Sequence, residues 1–165
     1  MPEERREQNE ASTNRLISMS LRKEFDRLTP RELGLIVISS EGLDNQQIAE
    51  EWGIKYRTVE KFQAAINNKL GHIGVINRTT AVKWACEAGI FEDPLPTTLE
   101  HGHAMTPGAF ATLHFVSEGY TSKEIADSIG RSYSMIVVWR GAIQDQLQVA
   151  SMPQAVRLGY QPVYL

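Results

Sequence analysis

Four cations crowd into residues 54–71: Lys55, Arg57, Lys61 and Lys69 stand against the single acid Glu60, a local charge of +3. Cations held at that density suit phosphate, whose binding follows the local field rather than the chain's overall charge. Other groups able to do chemistry are sparse. His72, His101, His103 and His114 are scattered, without cysteine or carboxylate partners at ligand spacing, so no metal site is expected. The one cysteine, Cys86, excludes an internal disulfide and suits a reducing cytoplasm. Set among Trp84, Ala85 and Ala88, it reads as a small buried apolar residue rather than a redox sensor. Neither a glycine-rich phosphate loop, a paired metal-ligand motif nor a nucleophile elbow is present, so neither an enzyme nor a cofactor is expected.

The element that must carry the cations is a helix over about Tyr56 to Leu70. Val59, Phe62, Ile66 and Leu70 recur at three- and four-residue steps and point inward. Arg57, Lys61, Ala64 and Asn68 fall on the opposite side. Upstream, Thr29 is an N-cap, Pro30 fits the first helical position and Glu32 closes a capping box. Gly42 suits the left-handed end of that first helix. Gln46 to Trp52 forms a short second helix, and Gly53 permits the sharp turn into the third. Such a helix-turn-helix offers the polar face of its last helix to a DNA major groove. Lys55, Arg57, Thr58 and Lys69 are then phosphate candidates, with Asn45 and Gln46 at the second helix's N-terminus. For each, the plainer alternative is a solvated surface residue.

The residues from Leu28-Thr29-Pro30-Arg31-Glu32 through Gln47-Ile48-Ala49, Arg57-Thr58-Val59 and Lys69-Leu70-Gly71 to Asn77-Arg78-Thr79-Thr80-Ala81-Val82 resemble the LuxR/NarL (GerE-type) DNA-binding domain. That family's domain is a four-helix unit of bacterial transcription regulators. His72-Ile73-Gly74 departs from it as a three-residue insertion between the third and fourth helices. The resemblance implies that Glu60, Lys61 and Ala64 lie at base edges. Many members carry a basic residue at the place of Glu60; a carboxylate there either accepts from a cytosine amino group or repels phosphate. It also implies dimerisation through the fourth helix, Thr79 to Ala88, with Val82, Ala85 and Cys86 as contacts. A second copy within the chain could instead supply that partner surface.

Such a copy is written into the sequence. Shifted by 77, Thr29-Pro30 becomes Thr106-Pro107, Gly42 becomes Gly119, Ile48-Ala49 becomes Ile125-Ala126, Gly53 becomes Gly130 and Leu70 becomes Leu147. Beyond Leu147 the offset falls to 74, because the second copy lacks the insertion. It resembles the same family more weakly. Ile136, Trp139, Ile143 and Leu147 keep the core face, whereas the outward face holds Ser134, Val137, Val138, Gly141 and Asp145. Glu32 becomes Ala109, so the capping box is lost. Ser122, Lys123, Ser132, Tyr133, Ser134 and Arg140 hold places comparable to the phosphate candidates of the first copy. Val137 and Val138 suit protein contact better than groove reading. Trp52, Trp84 and Trp139 read as core.

The expected architecture is all-α: two tandem four-helix domains, over 28–91 and 105–165. An acidic, proline-containing linker over 92–104 joins them and carries the whole net charge of −3. Residues 1–27 form an arm, disordered to about 13 and helical from about 14. Its Leu16, Ile17, Leu21, Phe25 and Leu28 should pack on the first domain or meet a second subunit. No apolar run spans a bilayer and the polar start is no signal peptide, so a bacterial or phage protein of the cytoplasm is expected. Its expected partner is double-stranded DNA, with regulation by abundance or a protein partner, since no sensing domain precedes the first copy. A homodimer or intramolecular pairing of the copies is left open. The main alternative is an interaction module that antagonises or assists another regulator or RNA polymerase. A sigma-factor-like polymerase-binding fragment has less support.

Overall fold

Thr29 opens the first buried helix as its sequence requires. In the computed structural model, which describes residues 2–91 and 105–159, its side chain accepts from the Glu32 amide. The Glu32 carboxylate in turn accepts from the Thr29 amide at 3.0 Å. Pro30 sits at the first turn of α2 (Pro30–Ser40). Asp44 and Gln47 build a second capping box at the start of α3 (Asn45–Trp52), and Gly53 ends that helix with φ +62°. A side chain there would be strained, so glycine fixes the turn into α4 (Tyr56–Leu70). Val59, Ile66 and Leu70 of α4 are fully buried, each worth roughly 1.5–3 kcal/mol by apolar area. Phe62 is half-buried, edge-on to Trp52. The His72-Ile73-Gly74 insertion is largely a 3-10 turn, Gly71–Ile73, closed by Gly74 at φ +104°. Asn77 then caps α5 (Arg78–Glu87).

Ahead of this set runs α1 (Pro2–Phe25), one continuous helix. This corrects the expected disordered arm. Residues 3–11 contain four glutamates, two arginines and an alanine, good helix formers, with Glu3 and Glu4 favourably placed near the positive N-terminal end. Only its C-terminal part docks. Phe25 is buried and Leu21 packs beside it, while Ser18 donates to the Glu87 carbonyl and Arg22 to that of Gly89. Leu16 and Ile17, expected to pack, are exposed.

Helices α6 (Pro107–Ser117), α7 (Ser122–Ile129), α8 (Tyr133–Leu147) and α9 (Met152–Gly159) follow. They run 11, 8, 15 and 8 residues against 11, 8, 15 and 10 for α2 to α5. As the loss of Glu32 implies, Thr106 caps α6 without a reciprocal carboxylate. Ile136 and Ile143 are buried; Trp139 and Leu147 are half-buried. Gly141 does not interrupt α8. No strand occurs among the described residues. The linker, with His101 and His103, lies outside them.

The two helix sets meet through α5 and α9, with α2 also against α9 and α5 against α6. Val156 of α9 joins the core formed by α2 to α5, and Leu113 of α6 borders both cores. The contacts are reciprocal. A Cβ on Gly42 would come within 3.3 Å of Ala150 Cβ and closer still to Gln154. One on Gly119, its equivalent, would come within 2.7 Å of Ile76 and 2.9 Å of Thr80, the residues 74 before Ala150 and Gln154. Both glycines have positive φ. Nearby the likeness is looser: Lys83 pairs with Glu118, whereas Arg157, 74 residues later, donates at 2.9 Å to Ser40 Oγ, the neighbour of Glu41, which is the counterpart of Glu118. Residue i meeting j while the counterpart of j meets that of i is the signature of an isologous, two-fold contact.

Candidate nucleic-acid interface

On α4 the cations divide. Lys55, Arg57 and Lys61 are exposed, as are Glu60 and Ala64, and none of the four charged groups makes an ion pair among the described residues. Lys69 is different and leaves the expected phosphate set. It is bound to Glu32 at 2.9 Å, where the carboxylate is buried and needs a counter-charge. That leaves three cations to one acid on the outward face.

The start of α4 reinforces that face. Lys55 is its N-cap residue, yet no side chain caps the helix. Its first amides are therefore without a side-chain acceptor, at the positive end of the helix dipole. Thr58 is half-buried beside them. At the start of α3, Gln46 is exposed but its amide donates to Glu50 at 2.8 Å. Asn45 is half-buried, with its Oδ1 enclosed and unpartnered.

A further cation, outside the phosphate candidates, is Arg78, the first residue of α5. Burial pushes its guanidinium below the usual arginine range, opposed by the fields of Tyr56 and Asp44. Its Nε is buried without a hydrogen-bond partner. Arg78 is half-buried at the start of α5. Its place next to the cap residue Asn77 is the sole local signal for it.

Residues 26–85 match the family model for bacterial regulatory proteins of the luxR family (GerE). No curated protein and no solved structure matches the chain. The luxR-type segment begins just after α1 and takes in all of α2 to α4 and α5 to Ala85. The outward face of α4 lies wholly within it.

Outside that segment the equivalent positions are largely committed elsewhere. Ser132 caps α8 by accepting from the Met135 amide, and Ser122 accepts from Arg140 at 3.2 Å. Burial lowers the Arg140 guanidinium, against the field of Tyr133. Lys123, Tyr133 and Ser134 remain exposed. So do Val137 and Val138, at 48% and 61%, so the first helix set does not cover them. By contrast Val82 and Ala85 are wholly buried where α5 meets α9. Cys86 beside them is half-buried, and desolvation pushes its thiol up to about 12 despite the nearby Arg157 charge. It stays protonated and unreactive near neutral pH.

Proposed function

We infer that the protein is a DNA-binding transcription regulator in which α4 of the luxR-type segment reads a major groove. Glu60, Lys61 and Ala64 face base edges. Lys55, Arg57, Thr58, Asn45 and Gln46, with the uncapped amides of α4, hold phosphates and set the register. Helices α6 to α9 form a divergent second copy, joined to the first by the 92–104 segment. Its α9 takes the surface of α5 that would otherwise serve a second subunit. The observation that carries this reading is the set of three exposed, unpaired cations on α4 within the luxR match.

The test is recovery of genomic DNA bound to the protein, followed by titration of a selected site at several salt concentrations. Lys61→Ala should weaken specific binding by about 1–3 kcal/mol without unfolding the domain. Binding as tight as that of the parent would refute α4 as the reader.

A second reading is an interaction module that acts on another regulator or on polymerase. The exposed pair Val137 and Val138 favours it, since they occupy the places of Glu60 and Lys61 and offer no hydrogen bond to a base. A protein that binds no DNA at low salt, yet retains a defined protein partner, would establish it over the first.

A further inference from the structure

The outward face of α8 has no partner among the described residues, and its sequence complements itself. Val138 is the most exposed large apolar residue on the helix, with Val137 beside it and Met135 40% exposed. Helical spacing aligns Ser134, Val138, Ala142 and Asp145 along one face, flanked by Met135 and Gly141. Arg131, in the turn just before α8, and Asp145, near its end, are equally distant from Val138 in sequence. Both side chains are exposed, and neither forms an ion pair among the described residues. At Gly141 an added Cβ would meet nothing within 4 Å, so a mid-helix glycine weakens helix propensity here without serving any internal contact.

We propose that α8 pairs antiparallel with α8 of a second copy of this chain, crossing at Val138. In that arrangement Val138 meets its own counterpart, Met135 fills the gap at the partner's Gly141, and Ser134 faces Ala142. Arg131 of each chain lies opposite Asp145 of the other, giving two ion pairs at the rim. The α5 surface is already covered by α9, so it is not open to a second copy. DNA fits the α8 face less well, because the valines donate nothing and Asp145 repels phosphate. One helix pair is a small interface, so the association is weak and concentration-dependent. The proposal holds whether or not α4 binds DNA.

The test uses the full chain in sedimentation equilibrium from micromolar to several hundred micromolar, with circular dichroism confirming helix content. The parent should shift reversibly from monomer to dimer. Arg131→Asp and Asp145→Arg each turn both rim pairs into like-charge pairs and should raise the dimer dissociation constant by roughly tenfold. Mixed together, the two variants restore both pairs and should form a heterodimer at least as well as the parent self-associates. Val138→Lys should be monomeric throughout. A parent that remains monomeric across the range, or an equimolar mixture that associates no better than either variant alone, overturns the proposal. So does a change in DNA affinity with unaltered mass, which would make α8 a DNA reader. DNA binding by Lys61→Ala is a separate measurement and fails or succeeds independently.

Discussion

In the first helix set a buried carboxylate, Glu32, is held by Lys69; at the same two places the second set has Ala109 and Gln146. In the first, Arg31 lies over Trp52 at 5.1 Å and Trp52 meets Phe62 edge-on. In the second, Trp139 stands where Phe62 does and lies so close to Gly108, the counterpart of Arg31, that no Cβ would fit between them. Yet α2 to α4 and α6 to α8 have the same lengths, 11, 8 and 15 residues, and α3 and α7 both end on a left-handed glycine. What the two sets share is punctuation: a capping hydroxyl or carboxylate, a glycine at each sharp turn, and apolar residues at helical spacing. The interior chemistry and the outward face of the third helix are free to differ. A charged α4 and an apolar α8 therefore share one backbone plan.

The reciprocal contacts are unequal in chemistry, which makes them the place to test how far the likeness extends into energetics. Arg157 is buried, donates to Ser40 and stands 4.3 Å over the Phe91 ring. Its counterpart Lys83 is nearly as buried, but its partner Glu118 is 40% exposed. Arg157→Ala should lose a charge-assisted hydrogen bond and the contact with the ring, about 3 kcal/mol in urea unfolding. Lys83→Ala also loses a ring contact, 4.6 Å over Trp84, but should cost less, about 2 kcal/mol, because its partly exposed acceptor recovers water. Equal losses would mean that the two-fold contact is symmetric in energy as well as in geometry.

The next effect separates the two interiors. Lys69→Ala leaves the Glu32 carboxylate buried without its counter-charge. Removing one partner of a fully buried pair costs about 3–5 kcal/mol, and the partial exposure of Lys69 reduces the expected loss to about 2 kcal/mol. Replacing both, Glu32→Ala with Lys69→Met, should recover part of that loss by copying the uncharged arrangement of the second set. Gln146→Ala should cost under about 1 kcal/mol, since its Oε1 is buried without a partner to lose. Thermal unfolding of the three variants would rank them. A larger loss at Gln146 than at Lys69 would reverse the comparison.

What the sequence made legible is local. Thr29, Pro30 and Glu32 mark a helix start by chemistry within one turn, and Gly53 marks a turn by backbone freedom. The core face of α4 follows from a period of 3.6. The 77-residue offset was legible because turn glycines and core residues recur in order. Contacts between groups distant in the chain were not legible. Lys69 lies 37 residues from Glu32, and its partner could not be told from solvent or phosphate before the fold brought them together. Arg157 and Ser40 are 117 apart. The first half of α1, expected to be disordered to about residue 13, was not legible from apolar periodicity. A solvated helix of alternating charge has none, and its helix propensity was the better guide.

The smallest effect expected concerns two acids, one for each set. Arg27 above all, and then His72, holds the Glu24 carboxylate below its usual range; Glu24 accepts from Arg27 at 3.1 Å and meets His72 at 2.8 Å. Arg27 also donates to the Lys69 carbonyl at the end of α4, so Glu24 steadies the docking of α1 against the insertion. Glu124, by contrast, is lowered by the Thr121 amide and hydroxyl and belongs to the cap of α7. A carboxylate whose folded pKa is depressed contributes stability that is complete above its unfolded value. That contribution is lost as pH falls through the depressed one. Glu124 is exposed and Glu24 only partly covered, so each contribution is modest. Lowering the pH from 6 to 3 should therefore shift the NMR signals of Leu21 and Phe25 in α1, and separately those of Ser122 to Ile125 at the start of α7. Glu24→Gln should abolish the first acid-side step and leave the second, and Glu124→Gln should do the reverse. If either substitution removed both steps, the docking of α1 and the capping of α7 would be coupled through α5 and α9. The two helix sets would then respond to acid as one body, instead of each losing its own carboxylate contact.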